Sequence, residues 1–248
     1  MPFNTSNGMP CSSLWNQMKW SPSSDQVNKF IKYQNLLKTW NQKLNLTRLI
    51  DGQDYWVLQV FDSLWPFESE INNQNKKYKL IDIGSGCGVP GIVLAIAMIN
   101  SEFVLVESIK KKAIALESIV NELDLDNRVK VINNRAELVG QNKNYRGSFD
   151  FALARAVGKV SVVAEYLVPL VLRNGSCFIY RGKLIEDNEN KFLNQTLSLL
   201  NAEVNEIKKI NLPFEKGERN IIKIKPNNIC PDTYPRKVGL PSKKPLSK

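Results

Sequence analysis

The chain has 248 residues and a formal net charge of +10, with 43% hydrophobic and 23% charged residues. Such a length and composition suit one soluble globular core, and the positive charge favours a polyanionic partner such as nucleic acid or a membrane surface. The sequence contains no histidine, which excludes imidazole bases and histidine metal ligands. Its four cysteines are scattered, which argues against a zinc site and a disulfide framework and fits a reducing cytoplasm. We see no signal-peptide pattern and no apolar run long enough to cross a bilayer.

The N-terminal part of the chain reads as a flexible arm followed by helices. Residues 1–22 are rich in Ser, Asn and Pro and lack periodicity, which is typical of a loose arm. Ser23 and Gln26 form a potential capping box, and apolar residues then recur at helical spacing. Asn45-Leu46-Thr47 is expected to break this helix, and one or two short helices are expected up to Phe67. Residues 23–70 are therefore predicted to form a helical extension packed on the core.

Residues 71–226 alternate between strand and helix patterns and are predicted to form the core. The expected strands are 80–84, 103–107, 129–133, 149–154 and 176–180, and the expected helices are 90–100, 109–123, 159–172 and 184–200. This alternation predicts an α/β, doubly wound, Rossmann-like sheet that is mostly parallel. The last two strands, 204–210 and 219–225, are joined by too short a loop for a crossover and should form an antiparallel hairpin. The basic tail 227–248, rich in Pro and Lys, is predicted to be a mobile arm.

A glycine-rich turn follows the first core strand. Gly84, Gly86 and Gly88 alternate with other residues, and Val89 stands where a dinucleotide fingerprint needs its third glycine. Glycines allow positive φ and a close approach of a ligand to the backbone, and the following helix start attracts anions. Asp82 precedes the turn, and Glu107 ends the next strand. This combination resembles the S-adenosylmethionine site of class I methyltransferases.

Ligands of open α/β sheets bind outside the carboxyl ends of the strands. Asp82 near the turn suits the amino group of an amino-acid tail, Glu107 suits two ribose hydroxyls, and the Ala136-Glu137 turn suits an adenine edge. Arg155 is a candidate for holding either the methionine carboxylate or the methyl acceptor. For Glu137 and Arg155, ion pairs that only connect loops are the alternative interpretation.

Motifs that are absent from the sequence restrict the possible methyl acceptors. No Asn/Asp-Pro-Pro-aromatic motif follows the fourth strand, and no cysteine is placed to activate a pyrimidine ring. Guanine N7 is already nucleophilic and carries no proton, so this acceptor needs positioning but no general base. We therefore predict no catalytic residue, with positioning assigned to Arg155. Basic side chains near the predicted site would contact RNA phosphates, although a solvated surface is the alternative for each of them: Lys111, Lys112, Arg181 and Arg219.

Several motifs together resemble the bacterial RsmG (GidB) family. They are Trp40-Asn41, Asn45-Leu46-Thr47, Phe61-Asp62-Ser63-Leu64, the segment 82–91, Arg135-Ala136-Glu137, Ala154-Arg155-Ala156 and the tail segments 234–237 and 239–246. The resemblance runs from about residue 30 to the C-terminus. It implies a cytoplasmic enzyme that methylates N7 of one guanine in the decoding-region loop of small-subunit (16S) ribosomal RNA.

The resemblance also implies site residues. It places cofactor contacts at Gly84, Val89, Ala136, Glu137 and Arg155, and RNA-side roles at Lys111, Lys112 and Arg181. With the residues named from the pattern, the predicted S-adenosylmethionine site comprises Asp82, Gly84, Gly86, Val89, Glu107, Ser108, Ala136, Glu137 and Arg155. We expect no metal and a monomer.

One departure and three alternatives accompany this interpretation. Many family members have Arg-His where this chain has Leu58-Gln59, so any role of that pair is in doubt. The alternatives are a nicotinamide-dependent oxidoreductase, a methyltransferase for another acceptor, and a non-catalytic RNA-binding or ribosome-assembly factor. Val89 argues against the first, and the intact glycine turn argues against the last.

Overall fold

The computed structural model describes residues 14–182 and 187–247, together with the backbone of residues 3–4 and 9–10. Two short strands, β1 (Phe3–Asn4) and β2 (Met9–Pro10), pair antiparallel. The predicted helix start at residue 184, the last residue of the basic tail, and the rest of the arm before residue 14 lie outside the described residues. Within the described part of the chain, no helix is both long and apolar enough to cross a membrane.

Seven strands form the central sheet. They are β3 (Lys79–Ile83), β4 (Glu102–Val106), β5 (Val129–Ile132), β6 (Phe149–Arg155), β7 (Val171–Arg181), β8 (Ala202–Asn211) and β9 (Glu218–Pro226). Their order is β5-β4-β3-β6-β7-β9-β8. The strands from β3 to β7 pair in parallel, whereas β9 is antiparallel to both of its neighbours. The predicted fold class, including the C-terminal antiparallel hairpin, is confirmed.

Helices cover the sheet and form the N-terminal extension. The α-helices are α1 (Ser24–Asn41), α2 (Gly52–Asp54), α3 (Asp62–Leu64), α4 (Glu68–Asn72), α5 (Gly91–Ala97), α6 (Lys110–Glu122), α7 (Ala136–Gln141), α8 (Val160–Leu167), α9 (Asp187–Leu199) and α10 (Leu240–Lys243). A π-helical segment, Tyr55–Phe61, joins α2 to α3, and 3₁₀ turns lie at Asn16–Met18, Trp65–Phe67, Val168–Leu170 and Pro213–Glu215. Helix α8 is shorter than the predicted 159–172, because Pro169 cannot continue the hydrogen-bond ladder and β7 begins two residues later.

Local sequence signals set the limits of α1. The Ser23 hydroxyl accepts a hydrogen bond from the Gln26 amide, and the Gln26 side chain accepts one from the Ser23 amide, so the capping box is present. At the other end, the Asn41 side chain accepts hydrogen bonds from the amides of Leu46 and Thr47, at 2.9 and 3.2 Å. These bonds turn the chain back at the predicted break.

The helical extension packs against the core and braces the glycine turn. The Gln26 side chain donates to the carbonyls of Ile96 and Ala97 at the end of α5, both at 3.1 Å. The Tyr33 hydroxyl donates to the carbonyl of Cys87 within the turn at 2.7 Å. Trp56 is fully buried, so its ring contributes packing, worth a few kcal/mol for a side chain of this size.

The sheet has an apolar core on each face, which is what a doubly wound sheet requires. The extension, α5 and α6 cover one face, and α7, α8 and α9 cover the other. The strand order reverses between β3 and β6, because β4 and β5 lie on one side of this pair and β7 lies on the other. A crevice therefore opens outside the carboxyl ends of β3 and β6.

The termini of the described chain differ from the prediction of two loose arms. Within the N-terminal arm, Leu14, Trp15 and Met18 are buried in the core cluster beside the extension. In the C-terminal tail, Arg236 forms a 2.7 Å ion pair with the buried Glu165 of α8. Apolar burial and this ion pair hold both segments against the core. The domain boundaries at residues 22, 70 and 226 remain predictions.

Candidate functional site

The glycine turn lies at the switch point between β3 and β6. Gly84, Gly86 and Gly88 all have positive φ, at 73°, 58° and 99°. The Gly84 amide donates to the carbonyl of Val106 at 2.9 Å, which folds the turn over the end of β4. A Cβ on Gly88 would lie 2.6 Å from the Ile92 Cδ1 atom. This turn therefore requires glycine for both conformation and space.

Asp82 places a buried carboxylate beneath the turn. Its Oδ2 atom accepts a hydrogen bond from the Gly91 amide at 3.1 Å, whereas its Oδ1 atom is buried without a hydrogen-bond partner. Burial raises the pKa of Asp82 to about 7, although the Gly91 hydrogen bond, the Ser85 side chain and the Arg155 charge act in the opposite direction. The Ser85 hydroxyl itself donates to the Asp82 backbone carbonyl at 2.9 Å, which leaves Oδ1 without a partner. An unsatisfied, buried carboxylate oxygen suits a cationic ligand.

Glu107 links the end of β4 to the glycine turn. Its Oε2 atom accepts from the Gly86 amide at 3.0 Å, and its Oε1 atom accepts from the Ile109 amide at 2.8 Å. Each carboxylate oxygen retains a further lone pair. Glu107 is thus fixed beside the turn, in the position in which an acid can accept hydrogen bonds from ribose hydroxyls.

A cavity of about 210 Å³ lies beside the turn, between the ends of β3, β4 and β5. We call it the glycine-turn cavity. Its lining residues are Ile83, Gly84, Val106, Ser108, Asn134, Arg135, Ala136, Glu137, Val157, Tyr166 and Ser242. Of the predicted cofactor residues, Gly84, Ser108, Ala136 and Glu137 line this cavity.

The other predicted cofactor residues do not line the glycine-turn cavity. Asp82, Gly86, Val89 and Glu107 belong to the turn and its supports, whereas Arg155 lines the second cavity described below. Ala136 begins helix α7, where the sequence analysis expected only a turn. The neighbouring Glu137 is buried, and its Oε1 atom accepts from the Gly239 amide of the tail at 2.8 Å.

The second cavity, of about 440 Å³, lies outside the ends of β6 and β7, and we call it the arginine cavity. Its lining residues are Asp62, Ala154, Arg155, Ala156, Val157, Gly158, Val163, Ile179, Tyr180, Arg181, Gly182 and Arg219. Val157 lines both cavities, and its Cγ2 atom lies 2.8 Å from where a Cβ on Gly84 would stand. The two cavities therefore adjoin at the boundary between Val157 and Gly84.

Asp62 organises the arginine cavity from the N-terminal extension. Its buried carboxylate Oδ2 lies 3.4 Å from Arg155 Nη2 and 3.2 Å from Arg219 Nε. Arg155 Nη2 also donates to the Leu58 carbonyl at 2.7 Å. Arg155 Nη1 is buried without a hydrogen-bond partner. One acid thus orients two guanidinium groups and leaves one donor available for an anionic or carbonyl oxygen.

Asp62 belongs to one of the motifs that resemble the family, but its position in the sequence predicted no role for it. The signal was a single acid within the apolar stretch from Tyr55 to Leu64. Leu58 and Gln59 stand where many family members have Arg-His. The Leu58 carbonyl contacts Arg155, and the buried Gln59 side chain donates to the Thr47 hydroxyl at 2.9 Å. Leu58 thus reaches the site through its backbone, whereas the Gln59 side chain packs within the extension.

The residues predicted to bind RNA fall into two groups. Arg181 and Arg219 line the arginine cavity, where Arg181 is also paired with Glu189 at 3.2 Å. Lys111 and Lys112 lie in the first turn of α6, outside both cavities. Among the described residues, no group of three or more Cys, Asp or Glu side chains could hold a metal ion.

Comparisons with known proteins show the family to which the chain is similar. Residues 26–222 match the family model described as rRNA small subunit methyltransferase G. The chain is 48% identical over 233 residues to the ribosomal RNA small subunit methyltransferase G of Prochlorococcus marinus strain NATL2A, covering 94% of each chain. It is 42% identical to the protein of the same name from Synechococcus sp. strain WH7803, covering 99% of this chain and 96% of that protein.

A solved structure shares the fold. It is a precorrin-6y C5,15-methyltransferase from Geobacter metallireducens GS-15, with a TM-score of 0.50 and 14% sequence identity. The match covers 73% of this chain and 91% of that one. At this identity the likeness concerns only the fold, which agrees with the class I methyltransferase architecture.

Proposed function

Because this chain belongs to the rRNA small subunit methyltransferase G family, we propose that it methylates N7 of one guanine in the decoding-region loop of 16S ribosomal RNA, with S-adenosylmethionine as methyl donor. The observation that carries the proposal is the pair of adjoining cavities, one beside a glycine turn and the other lined by three arginines. Methyl transfer needs donor and acceptor in contact, and two cavities that meet at one residue meet that requirement.

The residues fit the amino-acid end of S-adenosylmethionine. That end carries an ammonium and a carboxylate, and the site has one buried atom without a partner for each: Asp82 Oδ1 and Arg155 Nη1. Asp82 would accept from the ammonium, and Arg155 would donate to the carboxylate. One atom of each group is left unsatisfied in the free chain, so the complementary charges offset a desolvation cost already present.

The nucleoside end fits the glycine-turn cavity. Gly84 and Gly86 keep the backbone open to a close approach, and Glu107 would accept hydrogen bonds from the ribose. The cavity continues to Ala136 at the start of α7, where backbone groups would meet the adenine edge. We therefore assign the predicted cofactor set Asp82, Gly84, Gly86, Val89, Glu107, Ser108, Ala136, Glu137 and Arg155 to this ligand, with Arg155 at the junction with the acceptor.

The arginine cavity suits a guanine and its flanking phosphates. S-adenosylmethionine supplies an electrophilic methyl group, and guanine N7 offers a lone pair without a proton, so no side chain has to act as a base. Arg155 and Arg219, oriented by Asp62, would hold the acceptor by charge-assisted hydrogen bonds. Lys111, Lys112 and Arg181 would contact RNA phosphates, and this contribution should weaken with salt.

Methyl incorporation tests the proposal. Purified full-length protein is incubated with methyl-tritiated S-adenosylmethionine and with small subunits, or their naked RNA, from a cytoplasmic extract of a strain that lacks the modification. We expect tritium in 16S RNA and none in RNA from modified subunits. Equal labelling of both RNAs, or none despite measurable cofactor binding, would contradict the proposed acceptor. Sedimentation of the same protein tests the expected monomer.

A further inference from the structure

The C-terminal tail reaches the glycine-turn cavity, although its sequence suggested a free basic arm. Two arginine clusters hold it in place. Arg146 donates to the backbone carbonyls of Cys230 and Pro231, at 2.8 and 2.9 Å, and to that of Tyr234. Arg236 donates twice to the carboxylate of Glu165, at 2.9 and 2.7 Å, and its own amide adds a third bond at 2.9 Å. Partly buried, charge-assisted bonds of this kind fix a segment firmly.

Beyond Arg236, the tail contacts two residues of the cavity wall. The Gly239 amide donates to the buried carboxylate of Glu137 at 2.8 Å. The Ser242 hydroxyl lies 3.0 Å from the hydroxyl of Tyr166, and both residues line the glycine-turn cavity. The Glu137 carboxylate is therefore occupied by the tail, and two hydroxyl groups, one from α8 and one from the tail, stand at the cavity surface instead.

We propose that the tail completes the cofactor site, with Ser242 and Tyr166 binding the 6-amino edge of the adenine and with Glu137 acting as the positioning residue that holds the tail there. This inference rests on the proposed function, since it needs S-adenosylmethionine in the glycine-turn cavity. An adenine edge presents an amino donor beside a ring-nitrogen acceptor. Two hydroxyls in contact can accept from the first and donate to the second, and Ala136 lines the same cavity.

The position of Ser242 in the cavity wall favours a role in ligand binding over a purely structural role. Ser242 is exposed, although the tail segment around it is anchored. A hydroxyl needed only for packing would be buried. The apolar neighbour Pro241 is buried and supplies the packing of this short helix, so the Ser242 hydroxyl, whose contact is the Tyr166 hydroxyl, is not needed for that packing.

Calorimetric titration of the full chain tests the inference with two probes. One is S-adenosylhomocysteine, and the other is its analogue with purine in place of adenine, which lacks the 6-amino group. We expect Ser242→Ala and Tyr166→Phe each to weaken binding of S-adenosylhomocysteine about five- to tenfold, the effect of one hydrogen bond. The purine analogue keeps the ring nitrogen and lacks only the amino group, so at least one of the two substitutions should weaken its binding less than twofold, a difference that a merely structural role would not produce.

Two further variants separate the possible outcomes. Lys243→Ala changes an exposed neighbour that lines neither cavity and should leave binding of both probes unchanged. Gly140→Ala places a Cβ 2.6 Å from the Pro235 Cγ atom and should displace the tail, weakening binding as much as Ser242→Ala or more. Native affinity in Ser242→Ala and Tyr166→Phe would overturn the inference while leaving the proposed function intact. No binding by the native chain would overturn both.

Discussion

Replacing Asp82 by Asn should stabilise the free protein and weaken cofactor binding. The carboxylate is buried, its Oδ1 atom has no partner, and its pKa is raised to about 7 by burial. A carboxyl pKa raised from about 4 to about 7 corresponds to roughly 4 kcal/mol of lost stability once the group is ionised in both states. An amide still accepts the Gly91 hydrogen bond but must itself be desolvated, so we expect a gain of about 1–3 kcal/mol at pH 8.

Cofactor binding should change in the opposite sense. Asn cannot neutralise the ammonium of S-adenosylmethionine, and loss of one partner of a buried charge pair costs about 3 kcal/mol, or about a hundredfold in affinity. Urea denaturation gives the free energy of unfolding, and calorimetric titration gives the affinity. Asp126→Asn is the matched control, because Asp126 is exposed and lies just before the first residue of β5, at the amino ends of the parallel strands and away from the site at their carboxyl ends. A destabilised Asp82→Asn variant, or one that binds the cofactor normally, would refute the reasoning.

Three further predictions follow from the site. Affinity of the native chain for S-adenosylmethionine should be about fivefold weaker at pH 6 than at pH 7, because the Asp82 carboxyl, with a pKa near 7, is mostly protonated at the lower pH. Asp82→Asn should flatten this dependence, and a steep pH profile in that variant would show that another group causes it. Gly86→Asp should abolish cofactor binding in calorimetry, because it adds a charge beside Glu107 and a side chain at a φ of 58°; unchanged affinity would refute the placement. Asp62→Asn should lower methyl transfer by about tenfold or more even at saturating cofactor and should also weaken cofactor binding, because Asp62 orients both Arg155, assigned to the cofactor carboxylate, and Arg219 in the arginine cavity. An equal loss in Asp62→Glu and Asp62→Asn would indicate that charge at this position is irrelevant.

Much of the fold could be predicted from local patterns. The capping box at Ser23 and the chain reversal at Asn41 depend on side chains a few residues apart, so the sequence shows them directly. The mostly parallel, doubly wound sheet follows from alternating strands and helices with short connections, although the order of its strands was not predicted. Strand limits were predicted less well: β7 begins at Val171 and not at the predicted residue 176, because α8 and the 3₁₀ turn at Pro169 end just before it.

The site was predictable only where its residues are consecutive in sequence. The glycine turn and the acids at the ends of β3 and β4 have a fixed spacing, and the structure brings them together. Contacts between distant segments have no such signal. Asp62 meets Arg219 across 157 positions of the chain, and Glu137 meets Gly239 across 102 positions. The composition of the tail predicted a mobile basic arm. This prediction was wrong because the residues that anchor the tail lie on other elements of the chain and leave no signal in the tail itself.

Mapping the methylated atom tests the central claim most directly. Small-subunit RNA that lacks the modification is incubated with the protein and S-adenosylmethionine, then treated with borohydride and aniline, which cleave the chain at N7-methylguanine. Primer extension locates the cleavage. We predict a single new stop in the decoding-region loop, absent when Gly86→Asp replaces the native chain. Methyl incorporation without such a stop, or a stop elsewhere in the RNA, would contradict the assignment of guanine N7 as the acceptor.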